Sequence, residues 1–476
     1  MDIQNRTLFF GDNLEVLKEK IPENFFDLIY LDPPFNSNRN YNVLFKEGQI
    51  DSSAQIHAFE DTWEWTEDTV RIFNELKNNP KPQIAILINS LSEFIGQNQM
   101  MAYLVNMTAR LMPLHRVLKT TGSIYLHCDP TASHYLKIIM DVIFGKENFR
   151  NEIVWHYQTG GASKQHYSKK HDIILFYTKT DDYHFDPMAD PDKRTEKAME
   201  RAQNPKGARI GANDIYKIPM DVWEIPALNP MDKERLDYPT QKPEKLLERI
   251  IKISSKEGDW ILDPFCGCGT TVAVAERLNR NWAGIDISMQ AVNVINQRMN
   301  AHYPGIQIHL DGIPMDFESA VSLAEKDKFS FQDWAITLVG ASPPSGETKK
   351  GADRGIDGII LFYDREDLRN PKLKKIIVQV KGGNTNHRNE VSTLKGDIER
   401  DSAPMGVLIT LHEPTSEMKR EAALAGEYRY SESTSFPKIQ LLSVKEWFEG
   451  KGLKLPTDKI NPFKRAEVKA DQNELF

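Results

Sequence analysis

Residues 31–35 read LDPPF, which places an acid, two prolines and an aromatic ring directly after an apolar run. Proline cannot donate to a sheet and forces the residue before it out of the helical region. Asp32, Pro33 and Pro34 are therefore expected to leave a strand as a stiff, extended loop, followed by the ring of Phe35. Asp32 offers a carboxylate acceptor and the carbonyl of Pro33 offers a second one. The alternative is that this loop is only a strand-ending turn.

A second loop whose residues could bind a ligand is ILDPFCGCGTT, at residues 261–271. There an apolar run leads into Asp263, Phe265, Gly267 and Gly269. The glycines permit a tight turn and close approach of the backbone to a ligand. Asp286 ends another strand about 20 residues further on, where an open parallel sheet can bind ribose hydroxyls. The turn lacks the lysine of a phosphate-binding loop. These features predict a site for a nucleoside-containing cofactor.

The elements around both loops follow the rhythm of a parallel α/β sheet. Strands are predicted over 7–10 and 26–31 with a helix between them, and long helical patterns fill 69–118. Further along, a helix over 244–255 precedes a strand, the glycine turn, a helix and a strand that ends near Asp286. Because parallel strands end at the same edge, both loops are expected there.

Together, Asp-Pro-Pro-Phe and Asp-Pro-Phe-x-Gly-x-Gly resemble the motifs of the amino-methyltransferases of DNA, over roughly residues 5 to 305. The order, catalytic motif first, is similar to that of the circularly permuted beta class. The resemblance implies a Rossmann-like domain that binds S-adenosylmethionine and acts on double-stranded DNA. It assigns catalysis to Asp32, Pro33, Pro34 and Phe35, and cofactor binding to Asp12, Thr240, Lys242, Asp263, Phe265, Gly267, Gly269 and Asp286. Asp12 would lie near the adenine and Lys242 near the methionine end, although Asp12 also suits a helix cap.

In the implied reaction, Asp32 and the Pro33 carbonyl accept hydrogen bonds from an exocyclic amine that lies on a base rotated out of the duplex. Phe35 would stack on that base. An aspartate at the start of the motif resembles the enzymes that form N6-methyladenine, whereas those that form N4-methylcytosine often carry serine. Adenine is therefore favoured, and cytosine N4 methylation and a non-catalytic DNA-binding protein are the alternatives.

Lysine and arginine concentrate within residues 160–237, between the catalytic and cofactor motifs, where similar enzymes carry target recognition. These cations could contact phosphates, which position a protein without naming a sequence. The other interpretation is a solvated loop region. The recognition sequence cannot be read from this pattern.

A second chemical pattern lies near the carboxyl end, in GADRGIDG and QVK. Asp357, Gln379 and Lys381 resemble the restriction-endonuclease-like fold, here its Mrr-type branch, over about residues 329 to 448. The resemblance implies that Asp357 binds Mg²⁺ and that Lys381 helps to activate water. A further acidic position is open among Gln332, its neighbour Asp333, and Glu347. The alternative is a retained fold that binds DNA without cutting it.

The last residues, DQNELF, resemble the short peptide with which bacterial proteins dock on the replication sliding clamp, through Gln472, Leu475 and Phe476. The alternative is an ordinary disordered tail. Dimers occur among similar methyltransferases, so a homodimer is also expected.

Length and composition limit the number of domains and the class of protein. At 476 residues the chain can form two or three domains. We predict a methyltransferase domain over 1–305, a linker over 306–328, a smaller α/β nuclease-fold domain over 329–455 and a tail over 456–476. Three cysteines argue against a disulfide framework, and Cys266 and Cys268 are expected to be small fillers of the glycine turn rather than zinc ligands. With neither an apolar run of about 18 residues nor a signal peptide, we expect a cytoplasmic protein.

Overall fold

The computed structural model describes the backbone of most of the chain, and its account of side chains excludes the hairpin segment 40–60. The described residues are 3–34, 40–47, 50–60, 63–158, 164–197, 199, 215–236, 238, 240–344, 355–364, 372–383, 385–431, 433–457 and 459. Phe35, Glu347 and the tail residues Gln472, Leu475 and Phe476 lie outside them, so the predictions for these positions stay predictions.

The first two thirds of the chain supply a large mixed sheet and two separate antiparallel strand pairs. Its strands are β1 (Thr7–Phe10), β2 (Phe26–Leu31), β3 (Asn40–Glu47), β4 (Ile50–Glu60), β5 (Leu118–Cys128), β6 (Phe149–His156), β7 (His171–Thr178), β8 (Asp192–Lys193), β9 (Tyr216–Lys217), β10 (Val222–Glu224), β11 (Trp260–Asp263), β12 (Asn281–Asp286) and β13 (His309–Asp311). Within the described residues, nine of them form one sheet in the order β10-β6-β7-β5-β2-β11-β12-β1-β13.

Strand β7 runs antiparallel to its neighbours β5 and β6, and the other pairings in this sheet are parallel. The order places β2 beside β11, with Leu28 level with Ile261. The two chemically interesting loops therefore leave adjacent strands in the same direction. The predicted parallel α/β sheet is confirmed, apart from the reversed β7.

Helices cover both faces of this sheet, as alternation along β2 shows. Its side chains Leu28 and Tyr30 belong to one core cluster, and Ile29 and Leu31 belong to the other. The helices of this part are α1 (Asn13–Glu19), α2 (Glu67–Lys77), α3 (Pro82–Ile95), α4 (Gln99–Val117), α5 (Ser133–Phe144), α6 (Glu244–Ser254), α7 (Thr270–Arg277) and α8 (Met289–His302). In the part of the chain that the structure describes, no helix is both long and apolar enough to cross a membrane.

The remaining residues form a smaller α/β unit. It contains α9 (Phe317–Lys326), α10 (Lys328–Thr337), β14 (Gly358–Tyr363), β15 (Leu373–Lys381), α11 (Arg388–Arg400), β16 (Met405–Thr410), α12 (Ser416–Leu424), β17 (Glu427–Arg429), β18 (Ser435–Pro437), β19 (Ile439–Ser443) and α13 (Val444–Phe448). A sheet of order β14-β15-β16-β19 has an antiparallel β14 and is otherwise parallel. Helix α10 packs on one face and α11 on the other. The predicted second, smaller α/β fold is confirmed.

Two segments are more ordered than their sequences predict. Residues 306–328, predicted as a linker, contain β13, which pairs with β1, and α9, whose first turn is capped by Asp316. The basic region 160–237 contains β10, which extends the large sheet and buries Trp223. The strands β10 and β13 have three residues each, which leaves too few positions for an apolar period to be recognised.

Candidate functional site

The carboxyl edge of the large sheet gathers acidic side chains from three strands. Asp32 directly follows β2, Asp263 ends β11 and Asp286 ends β12. These strands are adjacent and parallel, so their carboxyl ends lie at one edge. The structure therefore brings together the acids of the two motifs.

Asp32 has one oxygen paired and one oxygen without a partner. Lys242 Nζ donates to Asp32 Oδ2, so the lysine predicted for the methionine end of the cofactor contacts the acid of the DPPF loop. Asp32 Oδ1 is buried and has no hydrogen-bond partner among the described residues. A buried acceptor without a donor is costly. Asp32 Oδ1 is thus an acceptor available for a donor supplied by a ligand.

A buried histidine beside Asp32 was not identified in the sequence analysis. His127 lies near the end of β5, and its Nδ1 is 3.9 Å from Asp32 Oδ1 and 2.9 Å from the hydroxyl of Tyr30. On the other side of the ring, Nε2 is 3.3 Å from Asp172 Oδ2. The hydroxyl of Tyr157 donates to Asp172 Oδ1 at 3.1 Å. A hydrogen-bonded chain therefore reaches from Asp172 on β7 through His127 to Tyr30 on β2, two residues before Asp32.

The contacts of Asp172 favour its ionised form. Burial alone would raise the pKa of Asp172, but the interactions with His127, the charge of Lys242 and the hydrogen bond from Tyr157 together hold that pKa below its usual range. The signal for His127 in the sequence is a strand-ending histidine two residues before Asp129 and Pro130, a pattern similar to the acid and proline after β2. Trp155 packs edge-on against His127, with ring centroids 5.4 Å apart, and is buried.

The proline loop is held from its other side by an aromatic and a cation. Trp63 Nε1 donates to the carbonyl of Pro34 at 3.4 Å, and the guanidinium of Arg110 lies 5.0 Å from the Trp63 ring. Arg110 Nη2 also donates to Asp12 Oδ1 at 2.9 Å. Asp12 caps α1 by accepting from Leu14 N at 2.8 Å. The helix-cap interpretation of Asp12 therefore describes its geometry, and the predicted contact with adenine stays untested.

The glycine turn is built around Asp286. Gly267 N donates to Asp286 Oδ2 at 2.7 Å, and Ser288 N donates to Asp286 Oδ1 at 2.9 Å. Gly267 and Gly269 have φ of 51° and 75°, in the left-handed region that favours glycine. A Cβ on Gly269 would lie 2.7 Å from Ile295 Cγ1, so only glycine lets the turn pack on α8.

Burial perturbs the acids of this turn. Desolvation raises the pKa of Asp263 to about 7, and the charges of Asp32 and Asp286 add to the rise. Desolvation also raises the pKa of Asp286 to about 6, with a further contribution from the charge of Asp333. Carboxylates that repel one another at one edge match a ligand with a positive charge and hydroxyl donors. S-adenosylmethionine has both, so the residues present fit this cofactor.

Three further positions singled out in the sequence are Thr240, Cys266 and Cys268. Thr240 is exposed and has φ of 59°. Cys266 and Cys268 are buried, and a Cβ on Gly284 would lie 2.7 Å from Cys266 Sγ, so Cys266 fills a tight space beside the turn. Among the described residues, no group of three His, Cys, Asp or Glu side chains could hold a metal ion.

In the smaller unit, Asp357 precedes β14 and has both oxygens engaged. Gln332 Nε2 donates to Asp357 Oδ1 at 2.8 Å, and Val380 N donates to Oδ2 at 2.6 Å. Gln379 and Lys381 alternate with Val380 on β15 and therefore share the opposite face. Asp357 thus lies directly before β14, and Gln379 and Lys381 lie on its partner strand β15.

The fit of a divalent cation to this second site rests on few oxygens. Gln379 Oε1 is buried and has no hydrogen-bond partner within the described residues, whereas Gln379 Nε2 donates to Asp397 Oδ2 at 2.5 Å. Asp397, on α11, is a buried acid that the sequence analysis did not single out. Asp357 and Gln379 would supply two oxygens, and the other near-octahedral positions of Mg²⁺ would be left to water and substrate phosphates, which this ion usually retains.

The fold and the two loops define a Rossmann-like methyltransferase domain that binds S-adenosylmethionine, joined to a restriction-endonuclease-like domain. Residues 26–297 match the model of the DNA methylase family that covers N6 and N4 enzymes, and residues 324–448 match a restriction endonuclease model. The chain belongs to this DNA methylase family and is a DNA methyltransferase of restriction-modification type. The resemblance recognised in the sequence is confirmed.

Individual relatives agree with this membership. The chain is 28% identical to the type II methyltransferase M.HpaI of Haemophilus parainfluenzae, over 63% of this chain and 76% of that protein. It is 29% identical to the DNA adenine methyltransferase YhdJ of Escherichia coli, over 63% of this chain and 84% of that protein.

Two solved structures are similar to about two thirds of the chain. One is a putative DNA modification methylase from Thermus thermophilus complexed with S-adenosyl-L-methionine, at 19% identity and a TM-score of 0.37, covering 64% of this chain and 98% of that one. The other is the cytosine-N4-specific PvuII DNA methyltransferase, at 15% identity and a TM-score of 0.38, covering 65% and 95%.

Proposed function

We propose that this methyltransferase acts on N6 of adenine in double-stranded DNA, with Asp32 as the residue that orients the target amine. The observation that carries the role of Asp32 is its buried, unpartnered Oδ1 beside an oxygen already held by Lys242, and the choice of adenine rests on the aspartate that opens the DPPF motif. An exocyclic amine has two N–H donors, and a fixed carboxylate acceptor favours the pyramidal, positively charged nitrogen of the transition state.

When bound, S-adenosylmethionine supplies an activated methyl group on a positively charged sulfur. The protein then has to position and stabilise rather than to form a covalent intermediate. Asp32 Oδ1 accepts from one amine hydrogen and the Pro33 carbonyl from the other. The amine nitrogen would gain the methyl group as the bond from that group to sulfur breaks, S-adenosylhomocysteine would be the leaving group, and the nitrogen would release one proton to water. Lys242 keeps the second oxygen of Asp32 occupied, so the carboxylate cannot rotate away from the amine.

The base reaches Asp32 only after rotation out of the duplex. Phe35 is the predicted stacking ring, and its position directly after Pro34 is compatible with a base that lies against the loop. The stacking would contribute about 1–3 kcal/mol. The region 160–237 is proposed to carry target recognition, and its lysines and arginines are proposed to contact phosphates, which position the protein without naming a sequence.

Separation of nucleosides from methylated DNA by mass tests the adenine assignment. Genomic DNA from cells that express the protein should contain N6-methyladenine, and a catalytically inactive Asp32→Ala protein should yield none above background. N4-methylcytosine as the product would overturn the adenine proposal in favour of the cytosine alternative. The relative YhdJ is a DNA adenine methyltransferase, which supports the adenine proposal.

We further propose that the smaller domain is an Mg²⁺-dependent nuclease, supported by the placement of Asp357 directly before β14 and of Gln379 and Lys381 on its partner strand β15. Lys381 would help to activate water next to the cation, which Asp357 and Gln379 Oε1 would bind. Cleavage of unmethylated and methylated DNA in the presence of Mg²⁺ tests this activity. No cleavage of either DNA favours a domain that only binds.

Two proposed partners rest on the sequence alone. Deletion of Gln472 to Phe476 should end co-purification with the sliding clamp, and unchanged co-purification would contradict clamp docking. Light scattering at several concentrations should give the mass of a homodimer. A monomer at every concentration would contradict that expectation.

The proposed division places the methyltransferase domain at 1–305 and the nuclease-fold domain at 329–455.

A further inference from the structure

Helix α10 lies between the two candidate sites and presents consecutive residues to them. Gln332 Nε2 donates to Asp357 Oδ1, the acid of the nuclease-like site, at 2.8 Å. Its neighbour Asp333 faces the other domain, where Asp333 Oδ2 accepts from Met289 N at 2.6 Å. Residue 289 lies within the methylase match and residue 333 within the endonuclease match. The hydrogen bond therefore joins the two modules.

Met289 begins α8 directly beside the cofactor acid. Asp286 Oδ1 accepts from Ser288 N, one residue before Met289, and Asp286 Oδ2 accepts from Gly267 N in the glycine turn. A displacement of the first turn of α8 would move Ser288 N, and with it one of the two donors that orient the Asp286 carboxylate. Asp333 thus lies two hydrogen bonds from the cofactor acid.

The same interface is packed as well as hydrogen-bonded. Phe331 and Trp334 of α10 share one buried cluster with Val292 and Ile295 of α8 and with Val380 of β15. Ile295 is also the residue against which Gly269 packs. A continuous close-packed path of this kind transmits small displacements because interiors compress little.

We propose that Asp333, although supplied by the nuclease-like domain, is a positioning residue of the S-adenosylmethionine site and acts through Met289, Ser288 and Asp286. The proposal rests on the proposed cofactor role of Asp286. It implies that the methyltransferase site is complete only with α10 docked. The adjacent Gln332 makes the same helix part of the Asp357 site.

Steady-state kinetics of the full-length chain tests this role. Asp333→Ala leaves the Met289 amide without its acceptor, so KM for S-adenosylmethionine should rise about tenfold, from the cost of one unmade buried hydrogen bond. The value of kcat should change less than about twofold, because Asp32 and Lys242 are untouched. Asp333→Asn keeps an acceptor oxygen and should restore most of the affinity.

Asp327→Ala is the matched control. Asp327 caps the same helix by accepting from Phe329 N and Ser330 N, and it has no hydrogen bond to α8 in the described structure. Its removal should lower Tm, as loss of a helix cap does, and leave KM for S-adenosylmethionine unchanged. An equal rise of KM in Asp327→Ala would overturn the proposal, since general loosening of α10 would then explain both effects.

Direct binding of S-adenosylmethionine without DNA separates this inference from the proposed function. In the parent, binding of S-adenosylmethionine should slow hydrogen exchange of the glycine turn and of Met289 N. In Asp333→Ala the slower exchange of Met289 N should be lost. A parent protein that binds no S-adenosylmethionine would refute the cofactor role of Asp286. A parent that binds it, with Asp333→Ala identical in affinity and exchange, would refute only the role of Asp333.

Discussion

Lys242 Nζ donates a hydrogen bond to Asp32 Oδ2 across 210 residues of sequence. The lysine precedes α6, and the acid follows β2. The pair joins a residue assigned to cofactor binding with the acid of the catalytic loop, so the amine and the methyl donor are expected to meet beside it. It also leaves Asp32 Oδ1 as the acceptor that an amine can use.

Replacement of Asp32 by asparagine should lower methyl transfer strongly while the cofactor still binds. Asp32→Asn keeps the shape but removes the charge that stabilises the developing cation, and we expect a fall in kcat of about 10²-fold or more. Incorporation of labelled methyl groups into DNA measures this. Asp27→Asn is a control on the same strand, where Asp27 pairs with Lys119 at 2.8 Å. Methyl transfer at the parent rate in Asp32→Asn would contradict the proposed role.

Lys242→Met should also lower kcat, because Asp32 loses the partner that orients it. The expected fall is about 10-fold, smaller than for loss of the acid itself, since only positioning is affected. Lys245→Met is the matched control three residues along, where Lys245 is half exposed and pairs with Asp190. A Lys242→Met effect on KM for S-adenosylmethionine alone would instead place the lysine at the cofactor only.

The chain from Asp172 to His127 predicts a second set of positioning effects. Asp172→Asn removes the charge opposite His127 Nε2, and we expect kcat to fall about fivefold to tenfold with little change in DNA affinity. Asp181→Asn, at a surface ion pair with Arg150, is the control. DNA-binding measurements alongside turnover separate the two effects, and unchanged turnover in Asp172→Asn would contradict a positioning role for the pair of Asp172 and His127.

The raised pKa of Asp263 predicts that replacing this acid by asparagine stabilises the protein at high pH. Its pKa is raised by burial from 3.8 to about 7, so the folded protein favours the protonated acid. Its stabilising contribution is full below pH 4 and is lost as the pH rises towards 7. Asp263→Asn should therefore be the more stable protein at pH 8, by at most about 4 kcal/mol, and should lose this advantage near pH 4. Urea unfolding at the two pH values checks the sign, and a variant less stable at pH 8 contradicts it.

Lys381→Ala should abolish any Mg²⁺-dependent cleavage and leave methyl transfer intact, because Lys381 lies on β15 of the smaller sheet. Lys375→Ala on the same strand, where Lys375 pairs with Asp401 at 2.9 Å, is the control for folding. Gel assays of DNA fragments measure cleavage. Cleavage that survives in Lys381→Ala would assign the activity to other residues.

Local patterns were enough for the sequence to determine the two reactive loops and most of the elements around them. A proline pair after an apolar run stiffens any chain, and a glycine turn between a strand and a helix needs no distant residue to be recognised. The loops at Asp32 and Gly267 were therefore predicted, as was the α/β class. Short elements such as β10 and β13 were missed because two or three residues carry no readable period.

Contacts between residues far apart in sequence were decided by the tertiary structure alone. The pairing of Lys242 with Asp32, the approach of His127 to Asp172 and the hydrogen bond from Met289 to Asp333 depend on strand order and on which helix packs where. Side-chain type at a single position does not encode its distant partner. Residue types and their local order indicate which reactive groups the chain carries, whereas the packing of the sheet and of α10 decides which of these groups lie in contact.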